Sequence, residues 1–124
     1  FLEQSIDEFK LSKILSLKGR QLSGGQRRKV EIARTLASNP KIILLDEPFA
    51  GIDPIAIEEI KQVLVKLKNK NIGILITDHN VRESLEICDQ AIVINDGKVI
   101  AEGNKELLIN NEIVKKVYLG DMYS

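Results

Sequence analysis

Several short groups of residues in this sequence carry side chains that could do chemistry. In Leu22-Ser23-Gly24-Gly25-Gln26, two glycines open what reads as a helix. Without a Cβ, the backbone there can approach a ligand closely. The N–H groups of a first helical turn, with the positive end of the helix dipole, form an anion site. Ser23 adds a hydroxyl donor. Taken alone, the same residues also read as an ordinary N-cap and turn. Asp46-Glu47 closes the apolar run Ile42 to Leu45. Carboxylates at the carboxyl end of a central parallel strand sit where α/β folds bind ligands. An Asp there can hold Mg²⁺ through water, and the adjacent Glu47 can polarise a water; a charged strand end stopped by Pro48 is the plainer reading. Asp53 is a helix cap that could also face a partner. His79, the single histidine, follows the run Ile72 to Thr77 at the same sheet edge as Asp46. It is a structural residue or, beside a phosphate, a hydrogen-bond donor. Cys88 reads as a small core residue.

The elements that must position these residues alternate in type. Short β-branched runs alternate with helical stretches from Gly19 onward, which predicts a parallel α/β sheet. The continuous run Ile42-Ile43-Leu44-Leu45 predicts a strand buried on both faces. A helix is expected from Pro54 to about Asn69, with Ala56, Ile57, Ile60, Val63, Leu64 and Leu67 on its apolar side. Asp53 suits its N-cap and Pro54 its first position. With the strand Ile72 to Thr77 this makes a right-handed crossover unit.

The helix after Gly25 is expected to reach Ser38, where Pro40 stops it. Val30, Ala33, Leu36 and Ala37 form its apolar side, and Arg27, Arg28, Lys29, Glu31 and Arg34 its charged side. A short helix from Val81 to Cys88 has Asn80 and Glu83 in capping-box spacing. Asn95-Asp96-Gly97 between Ala91–Ile94 and Lys98–Ala101 predicts a hairpin. The tail from Asn104 to Tyr118 reads as helical, in two pieces near Asn110. Ser5 to Leu17 is mixed and amphipathic.

Composition excludes several classes of function. Ile, Leu and Val supply 41 of 124 residues, too many for a disordered chain. Lys plus Arg balances Asp plus Glu at 18 each, and aromatics make up only 4%. A nucleic-acid partner is therefore not expected, by bulk electrostatics or by base stacking. One Cys and one His cannot form an internal disulfide or supply four zinc ligands. The apolar runs are too short for a membrane span and no signal peptide is visible, which points to an intracellular chain. The first residue is Phe1 rather than Met, which suggests a missing or processed N-terminus.

Order and spacing add more than any single group. Ser23-Gly24-Gly25-Gln26, a helix, Leu44-Leu45-Asp46-Glu47-Pro48, Gly51-Ile52-Asp53 and Thr77-Asp78-His79 form a long ordered set. From about Leu17 to Gly120 the chain resembles the C-terminal half of an ABC-type nucleotide-binding domain. Leu22 to Gln26 match the family signature, Ile42 to Asp46 Walker B, and Glu47 its catalytic glutamate. Ala50 to Asp53 match the D-loop and His79 the switch histidine. Within the family, Asp46 to Pro54, Leu75 to Glu83 and Lys116 to Gly120 resemble the ATPase subunits of lipopolysaccharide exporters. Branched-chain amino-acid importer ATPases share part of the pattern.

The resemblance implies a P-loop-type α/β fold, a parallel sheet with flanking helices, incomplete because the Walker A half is missing. No Gly-x-x-x-x-Gly-Lys-Ser/Thr occurs; Gly19 to Gly24 is followed by Gly25-Gln26. In this topology the strand leading to Walker A lies between the strands Ile72–Thr77 and Ala91–Ile94, so these two are not expected to pair. By the same resemblance, 1–18 ends a helical subdomain, 19–103 is the second half of the ATPase core, and 104–124 is a helical tail.

The implied ligands are ATP and Mg²⁺. Ser23, Gly24, Gly25 and Gln26 would contact nucleotide held by a second ATPase subunit in a head-to-tail dimer. Asp46 would hold Mg²⁺, Glu47 would act as general base, His79 would steady the γ-phosphate, and Asp53 would connect the two sites. The implied setting is the inner face of the cell membrane, on transmembrane permease subunits. The other readings are an inert binding module, or a soluble ABC ATPase of DNA repair or translation, which the low positive charge disfavours.

Overall fold

The computed structural model describes residues 23–119. Expectations placed on Leu22, on the stretch before it and on the last residues of the tail lie outside that range. The chain divides into two compact units, with the boundary between Thr77 and Asp78.

The first unit is built from α1 (Gly24–Leu36), β1 (Ile42–Asp46), α2 (Pro54–Asn69) and β2 (Gly73–Thr77). β1 and β2 pair in parallel from Ile42↔Gly73 to Asp46↔Thr77, as a strand–helix–strand unit requires. Asp53 caps α2: its Oδ2 accepts from the Ala56 N–H at 3.3 Å, and Pro54 follows at the first helical position. α2 ends in a Schellman motif. Asn71 adopts φ 64°. Its N–H donates to the Lys68 carbonyl at 2.9 Å, and the Ile72 N–H donates to the Leu67 carbonyl at 3.2 Å. Ile60, Val63, Leu64 and Leu67 are buried on the predicted side of α2.

Three expectations for this unit change. α1 ends at Leu36 rather than Ser38. The Ser38 hydroxyl bonds the Thr35 carbonyl at 3.0 Å and Asn39 turns to φ 53°, so the helix stops before Pro40 does so. The buried side of α1 is Gly25, Lys29, Ile32, Ala33 and Leu36, whereas Val30 is 36% exposed. Lys29 lies inside because its aliphatic stem covers apolar surface and its ammonium pairs with Glu59 of α2. Third, β1 is buried on one face only. Ile43 is covered, but Ile42 and Leu44 are 67% and 72% exposed, and Leu75 beside Leu44 is 59% exposed. Alternation along a strand sends these side chains to opposite faces. Among the described residues only one face of this sheet is covered.

The second unit contains α3 (Val81–Ile87), β3 (Ala91–Asn95), β4 (Lys98–Gly103), α4 (Lys105–Ile109) and α5 (Glu112–Val114), then a π-helical turn over Lys115–Leu119. β3 and β4 form the predicted antiparallel hairpin. Asp96 and Gly97 both take positive φ, 51° and 74°, as a two-residue turn of this hand demands. The tail breaks where expected: Asn104 caps α4, and Asn111 caps α5 by accepting from the Ile113 and Val114 N–H groups. Leu85, Val93, Leu108 and Val114 form the core of this unit.

The capping box expected at Asn80 does not form. Asn80 has ψ 74°, whereas the caps Ser23, Asp53 and Asn104 have ψ of 166°, 161° and 176°. Its side chain is therefore not turned back over the helix, and its N–H instead donates to Asp78 Oδ1 at 2.8 Å. Cys88 is half-buried just past the end of α3, not inside the helix.

The four strands make two separate two-stranded sheets, β1-β2 and β3-β4. No helix among the described residues is long and apolar enough to cross a membrane.

Candidate functional site

The start of α1 is a complete capping box. Ser23 Oγ accepts from the Gln26 N–H at 3.1 Å, and Gln26 Oε1 accepts from the Ser23 N–H at 2.9 Å. The Ser23 hydroxyl proton and the Gln26 amide group remain donors beyond these bonds. The N–H groups of Gly24 and Gly25 have no acceptor inside the helix, since that ladder begins a turn later. The plain capping reading of Ser23 and the anion-site reading are therefore compatible.

The two glycines do different work. A Cβ on Gly25 would lie 2.4 Å from the Ala56 Cβ, so this glycine is what lets the first turns of α1 and α2 touch. A Cβ on Gly24 would meet Ile52 Cγ2 at 3.1 Å and the Gly51 carbonyl oxygen at 3.4 Å. The residues around Ser23 thus pack directly on the loop that carries Asp53. Lys29–Glu59, one helical turn farther along, ties the same two helices together. Sequence spacing alone missed this tie, because Lys29 looked like one more residue on a charged face. Gly25→Ala should destabilise the fold by about 1–3 kcal/mol through overpacking. Adding Ala56→Gly should recover most of the loss, as read from urea unfolding midpoints; a double variant no better than Gly25→Ala would refute the contact.

The carboxylates stand at the end of the parallel ladder. Asp46, the last residue of β1, is exposed, and its Oδ1 accepts from the Thr77 hydroxyl at 2.5 Å. Glu47 follows with φ 51°, a left-handed conformation that is uncommon outside glycine. Its N–H donates to the Thr77 carbonyl at 2.6 Å, and its own carbonyl accepts from the Ala50 N–H at 3.2 Å. Ladder pairing thus runs one residue past the strand while the chain turns sharply, leaving Glu47 exposed ahead of the buried Pro48 and Phe49. Non-glycine residues held in such conformations cluster at functional sites. Exposed oxygen donors on Asp46 and Thr77 suit Mg²⁺, which takes oxygen ligands and keeps several waters.

The structure therefore brings together Ser23, Gly24 and Gly25 with the Asp53 loop, and Asp46 and Glu47 with Thr77. His79 belongs to the second unit, where it is exposed just ahead of α3.

Comparison with known proteins shows what the chain is similar to. A family model described as "ABC transporter" matches residues 2–50. The lipopolysaccharide export system ATP-binding protein LptB of Haemophilus influenzae is 54% identical over 98% of this chain and 50% of that protein. The ADP conformation of an ATP-binding cassette of an ABC transporter aligns with TM-score 0.83 at 36% identity, over 95% of this chain and 48% of that one. A dimeric, post-hydrolysis ATP-binding cassette bound to ADP and Pi aligns with TM-score 0.70 at 32% identity, over 83% of this chain and 45% of that one. The chain spans about half the length of the curated relatives it matches. With its parallel strand–helix–strand unit, strand-end carboxylates and glycine-opened helix, the chain is similar to one half of the ABC transporter ATP-binding proteins and has the α/β fold of their P-loop cassettes.

Proposed function

We propose that this chain supplies the signature, Walker B, D-loop and switch-histidine half of an ATP-hydrolysing ABC subunit that powers lipopolysaccharide export. The observation that carries the proposal is the end of β1, where Asp46 and Glu47 project as exposed acids from the last rung of a parallel pair. Asp46 would hold Mg²⁺, which would supply charge neutralisation for the phosphates of ATP. Glu47 takes a proton from water as that water attacks the γ-phosphorus and the bond to ADP breaks. The products are ADP and inorganic phosphate, and the proton taken from water is left on Glu47. Ser23, the Gly24 and Gly25 N–H groups and Gln26 bind the γ-phosphate of nucleotide held by a second, head-to-tail subunit. Asp53 links the two sites through its cap on α2, and His79 donates to the γ-phosphate.

The cargo assignment rests on the 54% identity to a lipopolysaccharide-export relative. It implies permease partners in the membrane and a place at its cytoplasmic face. The test is ATP turnover, with magnesium present or removed, by a subunit of full family length that carries this sequence. Turnover should require magnesium, and His79→Ala should lower it about 100-fold, the scale of one lost transition-state donor. An unchanged rate per folded molecule would make His79 structural. Stimulation by lipopolysaccharide in a reconstituted transporter, and not by branched-chain amino acids, checks the cargo.

A further inference from the structure

We propose that Thr77 is the positioning residue for both acids of this site, an inference that rests on the hydrolytic reading above. Thr77 is the last residue of β2 and stands opposite Asp46 in the ladder. Its two polar handles go to the two acidic residues. The hydroxyl donates to Asp46 Oδ1 at 2.5 Å, and the backbone carbonyl accepts from the Glu47 N–H at 2.6 Å.

The two bonds do different jobs. A threonine side chain is stiff about χ1, so its hydroxyl is a fixed point rather than a mobile one. Bonded to that point, the Asp46 carboxylate loses rotational freedom and still has lone pairs to offer a cation or its waters. The backbone bond anchors the N–H of a residue held at φ 51°, and so fixes where the Glu47 side chain leaves the strand. Hydrogen bonds from neutral donors to charged groups are among the stronger ones in proteins. The chemistry needs a hydroxyl at this rung. Valine would copy its shape and lose the donor; serine would keep the donor.

The experiment compares wild type, Thr77→Val and Thr77→Ser in a subunit of full family length that carries this sequence. The first readout is the Mn²⁺ concentration that half-saturates binding in the presence of a non-hydrolysable ATP analogue, followed by electron paramagnetic resonance. The second is kcat and KM for ATP, and the third is the unfolding midpoint. Thr77→Val is expected to raise the half-saturating Mn²⁺ about tenfold, from the loss of one hydrogen bond to a charged group. It should lower kcat by at least as much, with KM for ATP and the unfolding midpoint little changed. Thr77→Ser should stay close to wild type in every readout.

Wild-type metal dependence in Thr77→Val overturns the proposal. So does equal impairment in Thr77→Ser, which would assign the effect to packing. If the wild type shows no metal-dependent nucleotide binding or turnover, the hydrolytic reading fails and this proposal falls with it. That outcome is distinct from the other two, in which the wild type is active.

Discussion

Replacing Glu47 with Gln is expected to slow ATP turnover by about two to four orders of magnitude while ATP binding persists. The substitution keeps the shape and hydrogen-bonding reach of the side chain but removes its ability to take a proton. Glu47 is well placed for that role. It follows the last residue of β1, takes a left-handed backbone conformation, is exposed, and is pinned by its N–H to the Thr77 carbonyl. Gln should preserve each of these features, so binding and fold should survive. Single-turnover rates together with equilibrium nucleotide binding, in a subunit of full family length, separate the two effects. Turnover within tenfold of wild type would reject Glu47 as the base. Loss of nucleotide binding in proportion to turnover would assign it to ligand contact.

Expressed as these 124 residues alone, the chain is expected to self-associate and to show no ATP turnover. Ile42, Leu44 and Leu75 share an exposed face of the first sheet. In the second sheet Ile92, Ile94 and Val99 are 61%, 57% and 60% exposed. Burying one such side chain is worth about 1.5–3 kcal/mol. Three on a single face therefore rival the whole stability of a small domain, about 5–15 kcal/mol. Two-stranded sheets also present unpaired edges that recruit further strands. Sedimentation of the purified chain should show concentration-dependent oligomers, and Leu44→Lys with Leu75→Lys should shift them toward monomer. A monomer with one cooperative unfolding transition of ordinary stability would contradict this expectation. Magnesium-dependent hydrolysis above background would do so too.

The sequence by itself determined the elements and their order, because local rules act within a few residues. Asp53-Pro54 placed the start of α2, and helical spacing placed its buried side and its approximate end. Asp96-Gly97 placed the hairpin turn, and β-branched runs placed β1 and β2. The ordered motifs also marked Ser23 to Gln26, Asp46, Glu47, Asp53 and His79 as candidate site residues.

What only the tertiary structure decided depends on partners far away in the chain. Lys29 moved from the charged face to the buried one because Glu59, thirty residues on, neutralises it. Gly25 gained a packing role because Ala56 lies against it. The strand read as buried on both faces proved one-sided, because a continuous apolar run says what a strand can bury and not what covers it. Thr77 became a site residue through register alone. Its hydroxyl meets Asp46 across the ladder from 31 positions away, and no local pattern encodes which residue a parallel strand will stand beside.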